Sequence, residues 1–274
     1  MLSFKQLEDI KTLQLICEEK DGIQLKLNWD LLEHRAKDEN NDFLYYKDDQ
    51  LVGFLGLYAF GNKVEVCGMV HPNERRHGIF RHLLNKALDE CREVNLILLN
   101  APADSSSAKE FLRTVPCEYY TTEYQMQWFE TELIRDSKVV IRHAEDRDDE
   151  DQIQLDVDCF GFTREEASEF HQRLKNEGIH HFYMIEYGGK TVGKIRVYHE
   201  RTDAWIYSFA VFPEMQGQGI GRKALSHVVL NEKEKGYRVF LEVEVKNTNA
   251  LKLYESCGFK TIHAQDYYRY NEKL

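Results

Sequence analysis

The sequence predicts an α/β chain, in the α+β sense: two copies of one unit, each a mixed, largely antiparallel sheet with flanking helices. Three observations carry this. Val52-Gly53 recurs as Val192-Gly193, 140 residues later, and Val70, Pro72, Arg75, Gly78 and Ile79 precede Val211, Pro213, Gln216, Gly219 and Ile220 by 141, as Leu84 precedes Leu225. Near-constant spacing over separate landmarks is the mark of a duplication. Period-2 runs alternate with runs of helical period, the pattern of sheets covered by helices. Finally, 274 residues, 42% hydrophobic and 30% charged, suffice for two cores.

The units are expected at 1–135 and 136–274, because the aromatic run Tyr119 to Phe129 ends before the fresh strand Val139-Val140-Ile141. In the second unit Val139 to Arg142 reads as a strand, and Asp151 to Phe160 and Arg164 to Asn176 as helices, the charged stretch before them offering Asp148 or Asp149 as caps. His181 to Tyr187 and Thr191 to His199 form a strand pair turning at Gly188-Gly189. Ala204 to Phe212 is a strand, and Gly221 to Lys235 a helix whose Ala224, Leu225, Val228 and Val229 share a face. Tyr237 to Val245 is a strand and Thr248 to Ser256 a helix with Gly258 past its end, before a last strand over Lys260 to Tyr270. The first unit follows the same course more loosely.

Charge and cysteine usage exclude several classes. The 47 acidic residues against 36 Lys plus Arg give a net charge of -11, which favours solubility and argues against a nucleic-acid surface. Arg75, Arg76, His77, Arg81 and His82 form a local basic patch. The six cysteines show no paired spacing and read as thiols of a reducing compartment. No secretory h-region or membrane-length apolar run is visible, so a cytoplasmic protein is expected, monomer or homodimer, without nucleic-acid or membrane partner. Neither HExxH nor a three-ligand cluster points to a metal, and His180, His181 and His199 read as surface or satisfied core groups.

Pro213 to Gly221 joins a strand-like run to a helix-like run through Gly217, Gly219 and Gly221. Helix-start N–H groups are unpaired, and glycine lets an anion approach them. The turn is not a P-loop, since no GKS or GKT follows, and it lacks the six-residue dinucleotide spacing. The glycines also suit a purely structural sharp turn beneath a sheet.

Thirty residues on comes Leu241-Glu242-Val243-Glu244-Val245-Lys246-Asn247-Thr248-Asn249-Ala250-Leu251-Lys252-Leu253-Tyr254-Glu255-Ser256-Cys257-Gly258-Phe259. With the glycine segment, it resembles the GNAT superfamily of acetyl-coenzyme A-dependent N-acetyltransferases. That family's pattern is Gln or Arg, two residues, Gly, one residue, then Gly or Ala, which Gln216, Gly219 and Gly221 meet. The resemblance covers 138–274 well and 1–135 more weakly. It implies tandem GNAT-like acyl-CoA N-acyltransferase domains with acetyl-CoA as cofactor. Backbone N–H groups of Gln216, Gly217, Gln218, Gly219, Ile220, Gly221 and Arg222 would cradle the pyrophosphate. Phe209, Ala210 and Val211 would lie along the pantetheine arm, and Asn247 and Tyr254 beside the cofactor.

Forming an amide from a thioester requires an uncharged amine, a route for its proton and a proton for the departing thiolate. Glu242 and Tyr254, twelve residues apart, resemble the base and acid spacing of the ribosomal-protein N-terminal alanine acetyltransferases. Alternation puts Glu242, Glu244 and Phe240 on one strand face, which suits a base, with Glu244 as lesser candidate, or simply a solvated face. Trp205 and Tyr207 share the alternation of Phe209 and suit either an acceptor wall or a core. The acceptor expected is a primary amine of a small molecule or peptide. A non-catalytic acyl-CoA sensor is the alternative.

The first copy puts Phe80 where the second has Gly221. At the 141-residue offset Ala101 stands for Glu242, Arg113 for Tyr254 and Cys117-Glu118 for Gly258-Phe259. The expectation is a scaffold domain, as in tandem members resembling mycothiol synthase, whose arginines still attract phosphates.

Overall fold

The computed structural model describes residues 2–35, 40–60, 63–91 and 94–271. In chain order the elements are α1 (Phe4–Asp21), α2 (Trp29–Glu33), β1 (Asp42–Lys47), β2 (Gln50–Phe60), β3 (Lys63–Val70), α3 (Ile79–Glu90), β4 (Leu96–Pro102), α4 (Ser106–Leu112), β5 (Cys117–Trp128), β6 (Val139–His143), α5 (Asp149–Phe160), α6 (Arg164–Glu177), β7 (His180–Tyr187), β8 (Lys190–Glu200), β9 (Asp203–Val211), α7 (Ile220–Glu234), β10 (Arg238–Glu244), α8 (Thr248–Ser256) and β11 (Phe259–Tyr270). Every second-unit element expected from the sequence is present within three residues of its expected ends.

Two compact units result, Met1–Thr122 with His263–Leu274, and Glu123–Ile262. They do not divide at 135/136. The second half of β5 belongs to the second unit, where Glu123–Gln127 pairs with β10, and most of β11 belongs to the first, where Gln265–Arg269 pairs with β4. Local pattern identifies these stretches as strands but carries no signal of which edge they join.

In the first unit β1, β2 and β3 are antiparallel, β4 runs parallel to β3, and the β11 segment closes the sheet antiparallel to β4. In the second unit β6, β7, β8 and β9 are antiparallel, β10 is parallel to β9, and the β5 segment closes that sheet. The mixed, largely antiparallel sheet is thus built twice. α7 packs Ile220, Ala224, Leu225, Val228 and Val229 into the second core, and α3 packs Ile79, Leu83, Leu84 and Ala87 into the first. At roughly 1.5–3 kcal/mol for each large side chain buried, these stripes hold the helices whose N-termini matter below.

The other faces of the two sheets differ. α1 buries Ile10, Leu13 and Cys17 against Phe54, Tyr58, Cys67 and Met69, an apolar layer. In the second unit β8 turns Lys194 and Arg196 to that side. Lys194 Nζ meets Asp156 of α5 at 2.6 Å with both side chains nearly inaccessible, and Arg196 meets His180 Nδ1 at 2.9 Å. Asp148 takes the N-cap position of α5 but does not cap it. Its carboxylate accepts two bonds from Arg142 and one from the Glu145 N–H, and the Arg142 guanidinium holds its pKa below the usual range.

Candidate functional site

The site in the second unit starts from a strand ladder that stops early. β9 and β10 pair from Asp203–Arg238 to Ile206–Leu241, yet β9 continues to Val211 and β10 to Glu244. Just past the last pair β9 bulges: Lys194 faces Ala210 and Arg196 faces Tyr207, leaving Ser208 and Phe209 opposite Ile195 alone. Ser208 has φ of 46°, an uncommon value for a non-glycine residue. Serine carries no signal for a bulge, and the sequence reading missed it.

Val211 ends β9, and the chain turns through Pro213–Met215 into α7. Gly217 (φ 75°) and Gly219 (φ 77°) supply the left-handed positions, and a Cβ on either would point into open space. Gln216 Nε2 donates to the Val211 carbonyl at 2.9 Å, bracing the turn, and Gln218 reaches the Glu214 carbonyl. Gly219 is the N-cap of α7, and the Lys223 N–H closes the first helical bond, onto its carbonyl at 3.3 Å. The N–H groups of Ile220, Gly221 and Arg222 therefore have no helical acceptor and carry the positive end of the helix dipole. Ile220 is anchored in the core, while the Arg222 guanidinium lies by the Ser256 carbonyl at 3.4 Å. Gly221 serves packing: a Cβ there would meet Leu253 at 3.4 Å and Phe209 at 3.6 Å.

The other predicted residues lie on β10 and α8. Glu242 is half-buried, paired in register with Gln125 of β5, and Phe240, two residues before it, is buried against Trp205 (ring centroids 5.0 Å, stacked). Tyr207 stacks in turn on Trp205 and lies under Arg196. Asn247 caps α8, its Oδ1 accepting from Ala250 N at 3.1 Å. Tyr254 is 8% exposed, with its ring 6.4 Å from Phe209 and 6.1 Å from Phe259. Burial, with a smaller push from Cys257, raises its phenol to about 12, so the hydroxyl stays a donor even at alkaline pH where an ordinary tyrosine begins to ionise. His199 bonds Glu232 and stacks on Tyr237, and His180 bonds Glu177, so both are satisfied within the fold. Among the described residues no group of three His, Cys, Asp or Glu is placed to hold a metal ion.

The two units correspond closely, but not at one offset. Arg75 Nε donates to the Val70 carbonyl as Gln216 does to Val211, and Cys17 and Cys159 donate Sγ–H to the same two carbonyls at 3.4 and 3.5 Å. Two of the apparently scattered cysteines are therefore repeat equivalents, a signal present in the sequence but not recognised. The last β3–β4 pair is Val66–Leu99, the counterpart of Ile206–Leu241, so β4 and β10 correspond at 142 residues. The caps agree: Ser105 accepts from Ala108 N as Asn247 does from Ala250 N. Hence Asn100, not Ala101, stands for Glu242, Leu112, not Arg113, for Tyr254, and Pro116-Cys117, not Cys117-Glu118, for Gly258-Phe259. The β2–β3 register is unbroken from Gly53–Val70 to Phe60–Lys63, so β3 lacks the bulge of β9.

Phe80 does not fill the first unit's cleft. Gly68 takes the place of Phe209, and a Cβ there would meet the Phe54 carbonyl at 2.5 Å and the Phe80 ring at 3.0 Å. The ring has moved from the strand wall to the helix wall. The arginines of the basic patch are engaged: Arg75 with Asp21, Arg76 with Glu110, and Arg81 with Thr114.

A duplicated sheet with parted central strands and a glycine turn at a helix start defines an acyltransferase of the coenzyme A-dependent kind. The acetyltransferase (GNAT) family model matches residues 7–114 and 141–259, and the chain belongs to that family as two tandem domains. It is 27% identical over 289 residues to a mycothiol acetyltransferase of Streptomyces griseus subsp. griseus, covering 98% of this chain and 93% of that protein. A 58-residue stretch is 40% identical to the ribosomal protein bS18-alanine N-acetyltransferase of Escherichia coli (strain K12), covering 21% of this chain and 39% of that protein. A GCN5-related N-acetyltransferase of Sphaerobacter thermophilus shares the fold, with TM-score 0.76 at 19% identity over 95% of this chain and 91% of the other. Among the described residues no helix is long and apolar enough to cross a membrane.

Proposed function

We propose that the second unit transfers acetyl from acetyl-CoA to a primary amine of a small molecule or peptide, and that the first unit does not catalyse. The observation that carries this is the buried Tyr254 beside Phe209 at the parted strands, where the first unit has Leu112.

The residues fit the cofactor. The free N–H groups of Ile220 to Arg222, with open space at Gly217 and Gly219, suit a pyrophosphate, and the freed edge of β9 at Phe209 to Val211 suits an amide-bearing arm. Bound acetyl-CoA would supply a thioester carbonyl open to nitrogen attack. Glu242 takes the proton lost by the amine as the C–N bond forms, directly or through water. Tyr254 donates its proton to the sulfur as the C–S bond breaks. Asn247 holds the start of α8 and so the placement of Tyr254. The partial relative named for an alanine nitrogen of ribosomal protein bS18 supports an amine acceptor.

The test follows release of the coenzyme A thiol across a panel of amines and peptide N-termini. Turnover on at least one is expected. Tight acetyl-CoA binding without turnover on any amine would instead favour a sensor.

A further inference from the structure

The face of the second sheet opposite α7 carries a chain of buried charged side chains that the acetyl-transfer steps do not use. Glu177, the last residue of α6, meets His180 Nε2 at 2.8 Å, and His180 Nδ1 meets Arg196 Nη1 at 2.9 Å. The His180 side chain is fully buried and Arg196 is 8% exposed. A guanidinium has donors and no lone pair, so Nδ1 must accept from it. The imidazole is therefore neutral, its one proton sits on Nε2, and that N–H donates to the Glu177 carboxylate. A carboxylate and a guanidinium are joined through a single ring whose tautomer they fix.

Arg196 passes this order on to Tyr207. The two are register partners on β8 and β9, and the guanidinium carbon lies 4.7 Å from the centre of the Tyr207 ring. Trp205 braces the same ring, stacked at 6.2 Å and 12°. Tyr207 in turn stands where the strands part. The last β9–β10 pair is Ile206–Leu241, and both of those side chains point into the core under α7. Their next neighbours, Tyr207 and Glu242, point to the opposite face and flank the gap there, both half-buried. An amine attacking a thioester carbonyl held in that gap comes between them.

The first unit shows that the fold can be built without this chain. The offset of 140 residues that takes Val66 to Ile206 takes Gly56 to Arg196 and Cys67 to Tyr207, and Gly56 and Cys67 are again register partners. Cys67 lies with Phe54 and Tyr58 in the apolar layer under α1. A buried charged chain is commonly no more stabilising than apolar side chains of the same volume. Its presence at these positions in the unit proposed to catalyse, against a Gly–Cys pair in the other, points to a role beyond folding.

We propose that Tyr207 is the wall against which the acceptor amine binds, facing Glu242, and that Arg196, held by His180 and Glu177, is the positioning residue that fixes its ring. This rests on the acetyl-transfer reading of the second unit and adds the residues that set its affinity for the amine. The relay lies on the face opposite Tyr254 and α7, so its loss acts on the acceptor and leaves acetyl-CoA binding alone.

The test is steady-state kinetics of the full chain over an amine panel that includes L-alaninamide and benzylamine, with a melting curve for each variant. Arg196→Met, His180→Leu and Tyr207→Ala should each lower kcat/KM for the amine by about tenfold or more, through KM, with KM for acetyl-CoA within about twofold of native. Arg196→Met combined with Tyr207→Ala should lose no more than Tyr207→Ala alone, because Arg196 acts through that ring. His180→Asn, whose Oδ1 can accept from Arg196 in place of Nδ1, should recover most of the loss seen in His180→Leu. Folded variants with native kcat/KM for the amine overturn the proposal, as do equal losses for amine and acetyl-CoA or additive losses in the double variant. If the variants fail to fold, nitrogen NMR of the imidazoles in the native chain decides. His180 should be neutral at pH 7 with its proton on Nε2, and a ring protonated on Nδ1 overturns the relay. A native chain that releases no coenzyme A with any amine instead fails the acetyl-transfer reading, and the acceptor wall falls with it.

Discussion

The exchange of a phenylalanine and a glycine between strand and helix can be tested by remaking it in the second unit. Gly221→Phe alone forces a ring into space where even a Cβ meets Leu253 at 3.4 Å and Phe209 at 3.6 Å. Overpacking of this kind costs about 1–3 kcal/mol. Phe209→Gly alone empties a partly buried ring site and loosens the strand, about 2–3 kcal/mol after scaling the full-burial cost of 3–5 kcal/mol. Independent effects would sum to about 3–6 kcal/mol. In the double variant the new ring occupies the vacated volume, as Phe80 does over Gly68, and the loss should be only about 1–2 kcal/mol. The coupling expected is thus roughly 2–4 kcal/mol, at the upper end of what touching residues show. Urea unfolding in a Trp29→Phe background reads the second unit alone, since Trp128 and Trp205 both lie there. Strictly additive losses would refute the equivalence of Gly68 with Phe209 and of Phe80 with Gly221.

Tyr254→Phe should lower turnover by about 10²-fold or more with acetyl-CoA affinity nearly unchanged, and unchanged turnover would remove the acid assignment. Because the phenol is raised to about 12, its donor form persists below that pH, so no alkaline fall in kcat before about pH 11 should come from this residue. Its link to stability has the same sense: the raised folded pKa contributes stability below the usual tyrosine range, lost as pH climbs through about 12. Asp148→Asn should cost about 2–3 kcal/mol at pH 7 by breaking the paired bond to Arg142. The Asp148 pKa is lowered in the fold, so its contribution is present above the usual carboxylate range and vanishes as pH falls through the depressed value; the melting-temperature gap to the native chain should narrow in acid. A fragment of residues 123–262 should unfold cooperatively in urea, whereas 136–274 should not, because it lacks Met126 and Trp128 of the core and the strand that pairs with β10.

Legibility in the sequence followed the range of the forces involved. The duplication, the alternation of strand and helix, the glycine turn and the positions of Glu242 and Tyr254 rest on local spacing, and the fold reproduces the elements that hold them. Constant-offset counting failed because the spacing steps twice: the bulge at Ser208 in β9 takes it from 140 to 141, and a further residue between Leu225 and β10 takes it to 142, so the correspondence slips from Ala101 to Asn100 and from Arg113 to Leu112. The spacing showed Phe80 in the place of Gly221 but not that Gly68 makes room for its ring, because that match forms only when strand and helix pack together.

The sequence by itself determined that there are two units of one fold and that only the second carries a Glu and a Tyr at the spacing proposed here for a base and an acid, because periodicity, glycine conformation and side-chain chemistry are local properties. Tertiary structure alone decided that part of β5 pairs with β10 and part of β11 with β4, that Tyr254 is buried against Phe209 and Phe259, and that the first unit's parted strands open on a cavity. Each of these depends on which distant residues share a volume, a register or a low-dielectric surrounding, and none of those is written in the spacing of a single chain.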